Sequence, residues 1–421
     1  MLIGRTVRAI SVAALLAAGS ISYAQLLPGG PVGGVLNDVG RLGRGALGEV
    51  QDLARDVPRR VERLAEARLS RLTDLVRAHR DVLEMGPLGP AVRGEIVAVD
   101  PSPPILAQAL AAGFAVTADE AVEGLDFRSV TLRPPAGQSL DEALASLRRV
   151  APDGEFTPNY IHLQSGVAGP AAAAGATATA AGPNGGPRIG LLDGGVGKHG
   201  SLGAVQQRGF AAGAPAVSAH GTAVASLAAG QGTVRGAAPG AALFVADIYG
   251  RDPKGGNALA IARALGWMAQ NRVRVVTISL VGPANPLVGK AVTQARARGI
   301  YLVAPVGNDG PAAPPAYPAS YPGVIAVTGV DGRNRPLIEA GRSLHLDFAA
   351  PAADMAAAAP GGGLQAVRGT SFAAPLVAGR LARSSLAALN AEAKDLGRKG
   401  PDEIFGRGLV CGDCRTPLRK K

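Results

Sequence analysis

Five continuous apolar runs of strand length punctuate the second half of the chain: RIGLLDGG from residue 188, ALFVADIY at 242–249, RVVTISL at 274–280, IYLVAPV at 300–306 and VIAVTGV at 324–330. Between several of them the pattern is helical. In ALAIARALGWMAQ, Ile261, Leu265 and Met268 fall on one face, and Leu287, Ala291 and Ala295 do the same between the third and fourth runs. A strand that is apolar at consecutive positions has to be buried on both sides. The pattern therefore predicts a doubly wound α/β domain over 188–410, a parallel sheet with helices on both faces. In such sheets functional residues gather at the carboxyl ends of the strands.

Upstream the pattern changes twice. Over 25–93, in an Arg- and Leu-rich background, Val57, Val61, Leu64, Leu72, Leu75 and Val76 recur at roughly helical spacing and predict one or two amphipathic helices. Over 94–165 a strand (EIVAVDP, 95–101) is followed by a helix (PPILAQALAAGF) and a hairpin with a polar centre (AVTADEAVEGLDFRSVTLRPP). A second helix (SLDEALASLRRV, 139–150) and a last strand (EFTPNYIHL, 155–163) complete the segment. That order is the one of a small split βαβ domain, an α+β unit. Residues 166–187 are almost all Ala, Gly, Pro and Thr, without charge or apolar periodicity, and read as a linker open to cutting.

Composition narrows this picture. A chain of 421 residues allows one large domain with a smaller companion. Hydrophobic residues make up 47% and aromatics 4%, so the core is built from Ala, Val and Leu, with 59 glycines for tight turns. At the N-terminus Arg5 and Arg8 precede an apolar stretch from Ala9 to Ala18 and the small residues of Ser22-Tyr23-Ala24. This predicts an export signal over 1–24, cleaved before Gln25, and a secreted or periplasmic protein without stable membrane association. The apolar stretch is shorter than the ~20 residues that a membrane span requires. The tail 411–421 carries Cys411 and Cys414 in a lone C-x-x-C, too few for a Cys₄ zinc site, and a local disulfide in an oxidising compartment is favoured over a metal. The net charge is +11 but scattered, with no basic run in the main domain longer than the terminal Arg419-Lys420-Lys421, so nucleic acid is excluded as a principal partner.

Four polar residues stand where chemistry could occur, and each has a bland reading beside it. Asp193 closes the run IGLLD and is followed by Gly194-Gly195, an ordinary strand-to-turn ending as well as a way to present a carboxylate. His220 opens HGTAVASLAAG, where Ser218 can cap the helix and the small residues allow close packing; a lone histidine is more often a satisfied polar residue. Ser371 lies in GTSFAAPLVAG, with Pro375 suited to a first helical turn, and could equally be a plain cap. Asn308, in VGNDG just past IYLVAPV, could be a simple turn residue.

Taken together and in this order, Asp, His, Asn, Ser, the four segments make the stretch 188–410 resemble the subtilisin-like serine proteases. The blocks HGTAVAS and GTSFAAPLVAG are the specific ones, and YPASYPGVIAVTGVD (317–331) and FGRGLV (405–410) add to them. The resemblance implies a secreted endopeptidase that hydrolyses peptide bonds in polypeptides through an acyl-enzyme. Ser371 is the implied nucleophile, His220 its general base, Asp193 the residue that fixes the imidazole tautomer, and Asn308 the oxyanion donor. A serine hydroxyl attacks well only when an oriented base takes its proton, which is why the chemistry needs three groups in line.

The same resemblance makes 94–165 a propeptide, an intramolecular inhibitor whose last strand lies in the active site, and the chain a self-processing zymogen. It implies that substrate lies along two strips, Ser279, Leu280, Val281 and Gly282 on one side and Pro305, Val306 and Gly307 on the other. Val281 stands where the family favours glycine, Pro305 interrupts the strand leading to Asn308, Phe372 replaces a common methionine, and Gly194 is the small residue after the aspartate. Structural calcium is a family trait, but no acidic cluster with ligand spacing stands out, and no metal ligand is assigned. Residues 94–165 hold four arginines and ten acids, net −6, whereas 166–421 hold 26 basic and 13 acidic residues, net +13. The two parts should attract each other.

Overall fold

A computed structural model describes residues 44–168 and 186–418. The expected export signal 1–24, most of the 166–187 linker and the last three residues of the tail lie outside the described residues. A helix, α1 (Arg44–Ala78), comes first. Contacts divide the chain at residue 63, and everything from Leu64 onward forms one compact unit.

Within that unit the small domain is a sheet of β1 (Leu83–Gly86), β2 (Gly89–Val99), β3 (Ala115–Ala121), β4 (Arg128–Arg133) and β5 (Phe156–Tyr160). It is completed by helices α2 (Pro103–Ala111) and α3 (Leu140–Val150). Strand β2 lies between β4 and β5, β3 borders β4, and all pairings are antiparallel, which is the split βαβ arrangement. The strand expected from Glu95 in fact begins at Gly89. Its register shifts between Ala91 and Ile96, and Gly94 adopts a positive φ of 64°, so the polar Arg93-Gly94-Glu95 step breaks the alternation that would have revealed it. Helix α3 starts with a capping box: the Ser139 side chain accepts from the Glu142 amide at 3.3 Å, and the Glu142 carboxylate accepts from the Ser139 amide at 2.9 Å.

Alternation along β2 sends its side chains to two different cores. Ile96 and Ala98 pack with Val130, Leu132, Leu144 and Leu147 beneath the small domain's own helices. Val97 and Val99 point the other way, into the core shared with α5 (Ala258–Gln270) and α6 (Pro286–Ala297) of the large domain. The sheet is therefore covered on both faces. Each fully buried valine of this kind contributes about 1.5–3 kcal/mol relative to exposure.

The large domain is built on seven strands: β8 (Arg188–Asp193), β9 (Val205–Gly209), β10 (Ala242–Asp247), β11 (Val275–Ile278), β13 (Tyr301–Pro305), β14 (Ile325–Val330) and β15 (Phe348–Pro351). Their order is β15-β14-β13-β11-β8-β10-β9, with every pairing parallel. The expected doubly wound sheet is thus present. Ile189 and Leu191 face one core, formed with α4 (Ala219–Ala229) and α7 (Ala374–Arg383), while Leu192 faces the α5 and α6 side. The order reverses beside β8, between β11 and β10, so Asp193 ends its strand at the topological switch point. Pro305 does not interrupt β13. It is the strand's last residue, paired with Val327, where a missing amide proton is tolerated.

Candidate active site

Asp193 is wholly buried at the carboxyl end of β8, and its Oδ1 accepts from the Gly194 amide at 2.6 Å. Gly194 has to be small, because a Cβ there would lie 2.6 Å from the Ser218 Cβ. Ser218 in turn caps α4, accepting from the Gly221 amide at 3.2 Å. A side chain on Gly221 would collide with the Gly194 carbonyl. The start of the helix is thereby pressed against the end of the strand, which brings His220 within 2.8 Å of Asp193 Oδ2 and 3.0 Å of Oδ1 through Nδ1. The other ring nitrogen, Nε2, lies 2.9 Å from Ser371 Oγ. Ser371 sits in a short 3₁₀ turn, Thr370–Phe372, that leads into α7 with Pro375 in the first turn.

Asn308 follows β13 at the same edge of the sheet. Its Oδ1 accepts from the Thr370 amide at 2.9 Å, and the Thr370 hydroxyl donates to the Gly307 carbonyl at 3.1 Å, so the loop carrying Asn308 is tied to the turn carrying Ser371. With Oδ1 engaged, Nδ2 is buried and has no hydrogen-bond partner among the described residues. A buried amide donor left open costs roughly 1–3 kcal/mol, and such an exception marks a position awaiting an acceptor. All four polar residues singled out in the sequence therefore meet at one edge of the sheet.

The two strips Ser279–Gly282 and Pro305–Gly307 border this point. Strand β12 (Leu280–Val281) is paired, antiparallel, with β6 (Leu163–Gln164), in the register Leu280↔Gln164 and Val281↔Leu163. Leu280 and Val306 send their side chains into the core and offer backbone alone to the strip, whereas Ser279 reaches the Ser371 carbonyl at 3.4 Å. On its other edge the same chain is held at His162, whose amide donates to the Gly256 carbonyl at 2.8 Å and whose carbonyl accepts from the Tyr249 hydroxyl at 3.1 Å. It then passes Ser371 at Gly166 and pairs through β7 (Val167–Ala168) with β17 (Leu364–Arg368).

Sequence reasoning assigned no role to three side chains here. Gln164 donates from Nε2 to Asp193 Oδ1 at 2.8 Å. Phe372 lays its ring 5.0 Å from that of His220. His162 is fully buried, with neither ring nitrogen in a well-formed hydrogen bond among the described residues, and burial pushes its pKa down to about 4, against a smaller pull from the backbone of Tyr160, Pro283 and Gly256. The signal for Gln164 and His162 lay in the strand EFTPNYIHL, had it been extended and set in register against SLVG.

Cys411 and Cys414 are joined in a disulfide. Among the described residues they form, with Asp413, the single group of three potential His, Cys, Asp or Glu ligands, and bonded sulfurs do not suit calcium, which takes oxygen ligands. No step below is routed through a metal.

A family model described as the subtilase family matches residues 204–400. Subtilisin BL of Lederbergia lenta is 30% identical over 246 residues, covering 55% of this chain and 91% of that protein. Alkaline elastase YaB of Bacillus sp. (strain YaB) is 31% identical over 246 residues, 55% of this chain and 65% of its own. Among solved structures, fervidolysin from Fervidobacterium pennivorans, a keratinolytic enzyme related to subtilisin, superposes with a TM-score of 0.62 at 20% identity, over 79% of this chain and 62% of its own. With nearly the whole of one subtilisin aligned to it and the same fold beneath, the chain belongs to the subtilases and is a serine endopeptidase.

Proposed function

We propose that the chain is a self-processing zymogen in which Ser371 is the nucleophile, His220 its base, Asp193 the orienting carboxylate and Asn308 the oxyanion donor. In this reading His220 Nε2 takes the Ser371 proton as Oγ attacks a peptide carbonyl carbon. The negative charge that develops on the carbonyl oxygen is met by Asn308 Nδ2 and by the Ser371 amide. The tetrahedral intermediate then collapses, the C–N bond breaks, and the proton held by His220 passes to the leaving amine. A water, deprotonated by the same imidazole, releases the acyl group from Ser371. Asp193 holds the proton on Nδ1 throughout, so that Nε2 is free to accept.

The observation that carries this reading is the continuous line Asp193, His220, Ser371 at 2.8 and 2.9 Å, next to a buried amide that bonds nothing among the described residues. The chain's own segment 163–168 runs through the same cleft as an extended strand, as a substrate would. Continuing the register Leu280↔Gln164 by one step sets Ser165 opposite Ser279, with Gly166 beyond it beside Ser371. The bond presented is Ser165–Gly166, and 94–165, together with β1 and the start of β2, is the inhibitory propeptide. The fold match over 79% of the chain is wider than the catalytic region and supports a companion domain. The Arg-flanked apolar N-terminus supports export, and among the described residues no helix is long and apolar enough to cross a membrane.

Ser371→Ala tests the self-cut. The variant should fold and stay full length in a purified preparation, while the parent protein accumulates a product beginning at Gly166. Appearance of that product in the variant, with no other protease present, would sink self-processing.

A further inference from the structure

The walls of the cleft are built from this chain's own departures at Val281 and Phe372, and they fit the residues that occupy it closely. From the proposed register, and resting on that reading, we infer that the enzyme cuts polypeptides between a small residue and glycine, preferring glutamine just before the small residue. Val281 sets the choice before the bond, and Ser371 Oγ, backed by the Phe372 ring, sets the glycine after it.

On the leading side of the bond, Ser165 is 3% exposed, and its Oγ is buried without a partner among the described residues. The two strips that flank this position are closed on each other: a Cβ on Gly307 would lie 3.3 Å from Val281 Cγ1 and 3.7 Å from the Ala316 Cβ. The branched Val281 side chain thus stands in the slot between the strips, where a glycine would leave it open. A small side chain such as that of serine or alanine fits beside it. An aromatic one would displace Val281, and overpacking a closed site costs about 1–3 kcal/mol.

On the trailing side the constraint is tighter. Gly166 has φ +140°, and a Cβ there would lie 2.2 Å from Ser371 Oγ and 2.9 Å from Phe372 Cε2. The Phe372 ring has nowhere to go, since the residue is wholly buried and packs against the His220 imidazole. Two residues before the bond, the Gln164 amide reaches Asp193 Oδ1 at 2.8 Å and Ser218 Oγ at 3.5 Å, acceptors that an aliphatic side chain cannot use. Further back the cleft is filled by a ring, since His162 is wholly buried. The His162 ring lies against bare Gly282, where a Cβ would come within 2.3 Å of Cδ2, so a large flat side chain is accommodated four positions before the bond.

The test uses the purified, self-matured protein and quenched peptides spanning residues 160–169, Tyr-Ile-His-Leu-Gln-Ser-Gly-Val-Ala-Gly. Replacing the serine by phenylalanine, or the glycine by alanine, should each lower kcat/KM at least about 10-fold, and replacing the glutamine by leucine should lower it severalfold. In the Val281→Gly enzyme the phenylalanine peptide should gain at least about 10-fold relative to the serine peptide. Val281→Ala, a milder change, makes the same comparison if the glycine variant does not fold. Phe372→Ala should leave most of the alanine-for-glycine penalty in place, because the nearer clash is with Ser371 Oγ and the backbone stands at φ +140°. Equal cutting of the serine and phenylalanine peptides by the parent enzyme, or a ratio unmoved by both Val281 variants, overturns the specificity while leaving the protease reading intact. Failure of Ser371 to label with a fluorophosphonate overturns the protease reading, and the inference falls with it.

Discussion

Asn308 has one half of its amide committed and the other half open, and that asymmetry fixes what its loss should do. Its Oδ1 is held by the Thr370 amide, so Nδ2 is positioned before any substrate arrives. A donor of this kind strengthens as charge develops on the carbonyl oxygen and does little for the ground state. Asn308→Ala should therefore lower kcat by roughly 10² to 10³ with little change in KM. Steady-state kinetics on the serine peptide check it, and an unchanged kcat removes Asn308 from the mechanism. None of the four polar residues was legible alone: an Asp-Gly turn, a histidine at a helix start, a serine before Pro375 and a turn asparagine are each ordinary. They became legible through their order along the chain and the small residues around them, because Gly194 and Gly221 are what let strand and helix touch. Gln164 and Phe372 were not legible as site residues. Phe372 acts through ring packing, which leaves no mark on local sequence, and Gln164 through a register that emerges only when the strand EFTPNYIHL is extended against SLVG.

The strand through the cleft carries a titratable side chain that the proposed mechanism does not use. His162 lies buried between the Gly256 and Gly282 segments, with its imidazole held near pKa 4 rather than 6.5, mainly by burial. Above pH 6.5 the ring is neutral whether the strand is docked or released, so the hold is complete. As pH falls below 6.5 the released strand takes up a proton that the docked one refuses, and the hold weakens until the docked ring itself titrates near 4. After the cut, the dissociation constant of the 64–165 segment should rise by up to about tenfold per pH unit between 6.5 and 5. His162→Phe should flatten that slope, and a slope unchanged by the substitution would assign the pH dependence to other groups. Elements differ in how plainly their sequence announces them. The strands β8, β10, β11, β13 and β14 are buried on both faces and read as unbroken apolar runs. By contrast β9, VQQRG, is polar, and β15 and β16 (Met355–Ala358), FAAP and MAAA, are rich in alanine, which favours helices; the sheet contacts override that local preference.

Charge is divided across the whole molecule in a way that the docked structure uses. Residues 64–165 hold nine arginines and fourteen acids, net −5, against +13 for 166–421. The acids face the helices that the small sheet covers: Glu120 pairs with Arg263 and Asp126 with Arg298, each at 2.5 Å, and Asp100 with Lys290 at 3.4 Å. Most of these groups are half-exposed, so each pair adds little to stability, roughly 0–1 kcal/mol, and salt weakens it further. Their larger effect is on encounter. Opposite potentials steer two bodies together before contact is made, over a Debye length of ~8 Å at physiological ionic strength, while dissociation is governed by the apolar contacts of Val97, Val99 and Phe127 with α5 and α6. The 64–165 segment, added to matured enzyme, should therefore inhibit with an association rate that falls as salt rises and a dissociation rate that changes less. Reversing two charges, Glu120→Lys with Asp126→Lys, should slow association on the order of 10-fold at low salt and leave it nearly unchanged near 1 M. Rapid-mixing inhibition at both salt concentrations reads this directly. A double variant that associates as fast as the parent at low salt would show that the paired faces seen in the docked structure play no part in bringing the two domains together.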